Sequence, residues 1–185
     1  MSFSIAFGLP GKKRLPATEP QIEIVVIHVT EPPIERPKKS FTVARESNIH
    51  AISQVLLNQV TKEIICLAHS KGREDDLGIF KESKLRFNKG LECLADKGYQ
   101  GIEKLHSHSC IPQKKTIKAE LSGEDKSQNS VFAQKRIVVD RVHRKLKVFR
   151  ILSSRYKNRH RRFRLRFNLI AGLYNYELNQ VQKFV

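Results

Sequence analysis

Three positions in this sequence carry side chains that could do metal or hydrolytic chemistry, and each stands at the end or on the face of an element. His28 closes the apolar run from Ile22 to Ile27 and is followed by a threonine, a glutamate and two prolines. A lone histidine at a strand end reads first as structural. Asp96 closes the short run "LECLAD" and is followed by the tight turn "KGYQG". Open α/β sheets place their chemistry at the carboxyl ends of their strands. Asp140 is the one acid in the stretch from Arg136 to Phe167, which holds thirteen Lys or Arg residues. Val138, Val142, Leu146 and Phe149 recur at helical spacing and define an apolar stripe. At ~100° per residue, Arg136, Asp140 and Lys147 fall within about 40° of one another on the opposite face. Two readings stay open for Asp140. It can pair at i,i+4 with Arg136 and Arg144, worth a few tenths of a kcal/mol each, or it can bind metal beside phosphate-binding cations.

The elements that must position these residues follow from pattern. Ile22 to Val29 reads as a buried strand. Gln54 to Ala68 reads as two β-rich runs around a polar break, a hairpin. Arg73 to Ser83 suits a short helix with acids in its first turn. Leu91 to Asp96 is a short strand, "IEKLHSH" a helix and "CIPQKK" a short final strand. Ser122 with Asp125 fits the S-x-x-[DE] capping pattern, and a long basic helical region follows. Phe163, Phe167, Ile170 and Tyr174 recur at i, i+4, i+7 and i+11, which favours a helix over the strand-like alternation of "FRLRF". The order predicts a mixed α/β sheet flanked by helices and finished by basic C-terminal helices.

Composition points to a polyanionic partner. The chain has 185 residues and a net charge of +17, the footprint of a nucleic-acid or anionic-surface binder. No apolar run approaches the roughly eighteen residues that span a bilayer, and the N-terminus is a poor signal peptide. Cys66, Cys93 and Cys110 form no CxxC pair, so reduced thiols are the better reading than zinc. His106, His108 and Cys110 look like a metal cluster but are expected to point apart. Asp75 and Asp76 are expected to face solvent at a helix start, Asp76 keeping a supporting role open, and Lys114 and Lys115 to be solvated. Residues 1–20 read as an irregular extension, 21–178 as one domain and 179–185 as a tail.

In this order the motifs resemble a known family. "TEPPIERPKK", "TKEIICLAHSKGREDDLGIFKES", "LADKGYQGIEKLH" and "RIVVDRVHRKLKVFRILSSRYKNRHRRFRLRFNLIAGLYNYEL" are similar to the DDE transposases of bacterial insertion sequences, in the branch with the signature Y-x2-R-x3-E-x6-K. Those four signature positions are here Ala133, Arg136, Asp140 and Lys147. The resemblance implies an RNase H-like fold in which three acids hold two divalent metals, Mg or Mn. It puts His28 at the first-acid position, Asp96 at the second and Asp140, in place of glutamate, at the third. Arg136, Arg144, Lys147, Arg155, Arg159, Arg161 and Arg162 are then expected to meet DNA at transposon ends. The setting implied is the bacterial cytoplasm at the nucleoid, with homo-oligomerisation left open. The family's N-terminal DNA-recognition region has no counterpart in the roughly twenty residues before the first strand, and residues 39–54 fit its strand pair poorly. With His28 and Asp140 at acid positions, the expectation is an impaired transposase domain for DNA cleavage and strand transfer. The alternative is a non-catalytic DNA-binding remnant that represses its relatives.

Overall fold

The central strand is apolar on successive residues because both of its faces are covered. In the computed structural model, residues 7–17, 22–35, 49–70, 74–113, 122–157 and 162–183 are described. β1 (Ile24–Thr30) sits in the middle of a five-stranded sheet. Alternate residues of a strand point to opposite faces. Val26 therefore enters one core with Val138, Val142 and Phe167, while Val25 and Ile27 enter another with Phe80 and Tyr99. By the same parity His28 and Thr30 share the face of Val26.

β1 pairs antiparallel with β4 (Ser53–Asn58) and parallel with β6 (Glu92–Leu94). β5 (Ile64–His69) lies beyond β4, and β7 (Ser109–Cys110) beyond β6, giving the order β5-β4-β1-β6-β7. β2 (Pro33–Ile34) and β3 (Ile49–His50) form a separate antiparallel pair. The hairpin expected over 54–68 is β4–β5. Its turn is shaped by the Asn58 side chain, which accepts the amides of Val60 and Thr61.

α1 (Asp76–Ser83) starts where the Asp75 carboxylate accepts the Gly78 amide, and covers the second core with Ile79 and Phe80. α2 (Gly123–Leu146) opens on the predicted Ser122–Asp125 capping box. Its buried residues, Val138, Val139, Val142 and Leu146, form the expected stripe against β1. α3 (Arg150–Ser153) is a single turn. α4 (Phe163–Lys183) buries Phe163, Phe167, Ile170 and Tyr174, as the i, i+4, i+7, i+11 spacing requires. It runs through residues read as a tail. Asn175 of α4 both donates to and accepts from the Ile64 backbone at 2.8 Å, closing the start of β5.

Several expectations change. "IEKLHSH" is no α-helix: one 3-10 turn (Ile102–Lys104) is followed by irregular chain, with Gly101 left-handed at φ 90° ahead of it. The final strand is two residues long, Ser109–Cys110. The N-terminal extension is irregular but packed from Phe7 to Ala17. The Gly11 amide donates to the Ile65 carbonyl on the open side of β5, and Leu15 is 1% exposed in the second core. Most of the 39–54 region lies outside the described residues.

Candidate active site

Parallel pairing of β1 with β6 brings their carboxyl ends side by side. This places His28 against Asp96, 68 residues away in sequence. His28 Nδ1 lies 3.6 Å from Asp96 Oδ2, an ion-pair distance rather than a hydrogen bond. Arg136 Nη2, from α2, reaches the same oxygen at 3.4 Å. The other Asp96 oxygen accepts the Gly98 amide at 3.0 Å, because Asp96 caps the 3-10 turn Lys97–Tyr99. Burial pushes the Asp96 carboxyl up, but His28, the Gly98 amide and Arg136 outweigh it and hold the group below the usual carboxylate range. Tyr99 is fully buried behind this turn and donates to Gln54 Oε1 at 3.3 Å. It braces the turn through β4 rather than bonding to Asp96.

Asp140 lines the same cleft, of about 430 Å³, with His28, Asp96, Lys97 and Arg136. It is exposed, and no ion pair joins it to Arg136 or Arg144. The charge-pairing reading of Asp140 is therefore corrected: Arg136 turns to Asp96, with its guanidinium 5.8 Å from the centre of the Phe132 ring. Arg136 is 18% exposed at its side chain and is committed to the cleft rather than to an outer surface. Arg144, Lys147, Arg155 and Arg162 are exposed. Arg159 and Arg161 lie outside the described residues, as do Lys114 and Lys115.

Two contributors escaped the sequence reading, and a third was left there only as a supporting possibility. His143 lies on the α2 face that carries Asp140 and Arg136, at i+3 and i+7 from them, and that spacing was the available signal. Its Nε2 is 2.8 Å from Thr30 Oγ1, and its ring is edge-on to His28 at 5.4 Å. Burial, with Lys147 and His28 adding, pushes its pKa down to about 4. Lys97 enters the cleft because the turn after Asp96 is so tight. The third is Asp76. It was expected to face solvent with a supporting role left open; it is half-buried, and its Oδ2 lies against Gly98 in the turn that follows Asp96. Burial, then Asp96 and Glu31, push its pKa up, and His28 opposes them. Asp75 beside it is exposed, as expected.

His106 Nε2 donates to the Leu91 carbonyl, 2.6 Å away, and the His106–His108–Cys110 motif gathers no metal-holding group among the described residues. Cys93 is buried and Cys110 exposed, and the cysteines are unpaired. Among the described residues, no group of three or more His, Cys, Asp or Glu side chains already stands in metal-holding geometry.

The histidine–aspartate–arginine cleft lies at the carboxyl ends of two parallel strands in a chain of net charge +17. The sequence comparisons place the chain in a family. Residues 27–175 match the family described as DDE superfamily endonuclease, and the chain belongs to that family. It is 50% identical over 175 residues to a protein of Microchaete diplosiphon described as "Probable transposase for insertion sequence element IS702". The alignment covers 93% of this chain and 63% of that relative, so the chain spans less than two thirds of the relative's length. No solved structure matches the chain. Among the described residues no helix is long and apolar enough to cross a membrane.

Proposed function

We propose that this chain is the DNA-cleaving and strand-transferring domain of an insertion-sequence transposase, with an RNase H-like fold and with catalysis impaired at His28. The strand order, with β1 central, β4 and β5 antiparallel on one side and β6 and β7 parallel on the other, supports the fold. Membership of the DDE family supports a DNA substrate and dependence on a divalent metal. Transposon ends are the proposed sites of action, at the bacterial nucleoid.

The observation that carries the impairment is the occupancy of Asp96 Oδ2. Two positively polarised side chains, His28 and Arg136, already face it. His28 Nδ1 and Arg136 Nε are buried without a hydrogen-bond partner, so the cleft is polar and incompletely satisfied. Its carboxylates, Asp96 and Asp140, are hard oxygen donors that suit Mg or Mn, whereas an imidazole suits softer ions. The donor set thus fits one hard cation better than a pair. A bound divalent ion would supply charge neutralisation at the scissile phosphate and a more acidic water.

The chain's own residues set the rest. Lys97 and Arg136 border the cleft and place positive charge where a phosphodiester must sit. Hydrolysis breaks the P–O3′ bond, the water oxygen bonds to phosphorus, and the released 3′-oxygen takes a proton. In strand transfer that 3′-hydroxyl attacks a second phosphodiester and a new 3′-hydroxyl leaves. Asp140 is one methylene shorter than the family's glutamate, about 1.5 Å of lost reach, and ångström-scale misplacement costs ~10²-fold in rate. Arg144, Lys147, Arg155 and Arg162 are free to neutralise backbone phosphates, each adding roughly 0.9 to the log–log salt slope on duplex DNA.

The test is nicking of supercoiled DNA in Mg²⁺ and Mn²⁺. The expected result is slow nicking by the wild type and at least a ~10-fold gain in the double variant His28→Asp, Asp140→Glu, with Asp96→Asn silent. Fast wild-type nicking that Asp96→Asn abolishes and the double change does not improve would show His28 to be a working residue. Tight, salt-sensitive DNA binding with no nicking by any variant would favour the non-catalytic reading.

A further inference from the structure

Asp76 is brought to the cleft by an element that none of the family's three acid positions uses. α1 follows β5 and packs on the second core, so its first residue projects toward the turn after β6. There is room for it only because residue 98 is glycine. A Cβ built on Gly98 would overlap Asp76 Oδ2 and would stand 3.2 Å from Asp96 Oδ1. Gly98 therefore separates two carboxyl oxygens, one from each acid, and leaves the space between them open. The Asp96 oxygen on that side, Oδ1, is not the one that His28 and Arg136 pair with.

Two carboxylates in such proximity repel unless a proton or a cation stands between them. Among the described residues, no lysine or arginine pairs with Asp76. The start of α1 favours a negative charge on Asp76, and the family is metal-dependent. Mg²⁺ needs only one or two carboxylates, because it keeps several waters and completes its shell with substrate phosphates.

We propose that Asp76 and Asp96 Oδ1 together hold one divalent cation, Mg²⁺ or Mn²⁺. Asp76 then supplies the negative charge that His28 does not. The site keeps one hard-cation position while Asp96 Oδ2 is held by His28 and Arg136. This rests on the metal-dependent cleft proposed above, but not on the cleft being catalytic.

The test is a Mn²⁺ titration of the full chain without DNA, read by electron paramagnetic resonance. Wild type is expected to bind one Mn²⁺. Asp76→Asn and Asp96→Asn are expected to weaken it by ~10-fold or more, since lost outer-shell contacts alone cost 10–100-fold. Asp75→Asn, which removes the same charge one residue away, is expected to leave binding unchanged. If Asp76→Asn fails to fold, Gly98→Ala displaces the Asp76 carboxylate and is expected to weaken Mn²⁺ to a similar degree. Wild-type affinity in Asp76→Asn, or no Mn²⁺ bound by wild type, would overturn the proposal. Asp76-dependent Mn²⁺ binding without any DNA nicking would leave this site standing and refute only the catalytic reading.

Discussion

Changing His28 to aspartate puts an acid where the proposed reading has the family's first acid, and the metal-free protein is expected to become less stable for it. The substitution sets a carboxylate about where an imidazole now stands, 3.6 Å from Asp96 Oδ2. Two like charges at that distance repel by about 4.6 kcal/mol at an effective dielectric of 20 and by about 1.2 kcal/mol in bulk water. The two side chains are 24% and 27% exposed, so the cost lies between these limits. Arg136 stays on Asp96 and trims it toward the lower end. A chain of this length loses ~2–4 °C of melting temperature per kcal/mol, so the two limits bound the drop in EDTA at about 2–18 °C, with the value toward the lower end. A divalent ion removes the repulsion, and an ion at 100 times its dissociation constant adds ~2.7 kcal/mol. The assay is a thermal melt of wild type and His28→Asp in EDTA and in 10 mM Mg²⁺ (about that level suffices for a weak site). Melting within a degree of wild type in EDTA, or an equal Mg²⁺ shift in both proteins, would refute the electrostatic account of this cleft.

Two other predictions concern the frame. His69 is half-buried against Phe163 and Phe167, with Nδ1 2.8 Å from Ser53 Oγ, and burial, then Arg164, push its pKa down to about 4. Its neutral form is the folded one, so the unfolded chain binds more protons between about pH 6.5 and 4; stability falls as pH falls through that window, by about 2 kcal/mol from pH 7 to 5. Urea melts of wild type and His69→Phe should converge toward pH 5, and a constant difference would contradict the burial. Asn175→Ala leaves the Ile64 amide and carbonyl without their side-chain partner in a buried place, and urea denaturation should show a loss of about 2–6 kcal/mol, at ~1–3 kcal/mol per group. A loss under about 1 kcal/mol would mean that water reaches β5.

The frame was legible wherever one periodicity dominated. The stripe Val138, Val142, Leu146 and the stripe Phe163, Phe167, Ile170, Tyr174 bury as their spacing requires, because each helix offers the sheet one face. "IEKLHSH" misled because its apolar residues are too few for a helix face; Ile102 alone is buried and Leu105 is half exposed. His28, Asp96 and Asp140 could be grouped in advance only through motif order, since strand pairing joins the first two and the packing of α2 on the sheet brings the third to the same cleft. The partner of Arg136 was not legible at all. Its i+4 neighbour Asp140 is nearer in sequence, but the buried cleft offers Asp96 in lower dielectric, where the same charge interacts more strongly. Asp76 was given no more than a possible supporting role for a similar reason: a helix-start acid reads as solvated unless one knows that a side-chain-free residue opposes it.

The clasp of Asn175 on Ile64 also sets an order of events on the ribosome. The two residues are 111 positions apart, and at 5–20 residues per second the strand waits roughly 6–22 s for its partner. During that interval β5, "IICLAH", is an apolar strand with a free backbone edge. The earlier-made segment around Gly11 and Leu15 can already lie along it, since the Gly11 amide meets the Ile65 carbonyl. The N-terminal residues thus cover the open edge of β5 at Ile65. Their removal is expected to show first as poor yield from synthesis rather than as a lower melting point of the finished protein.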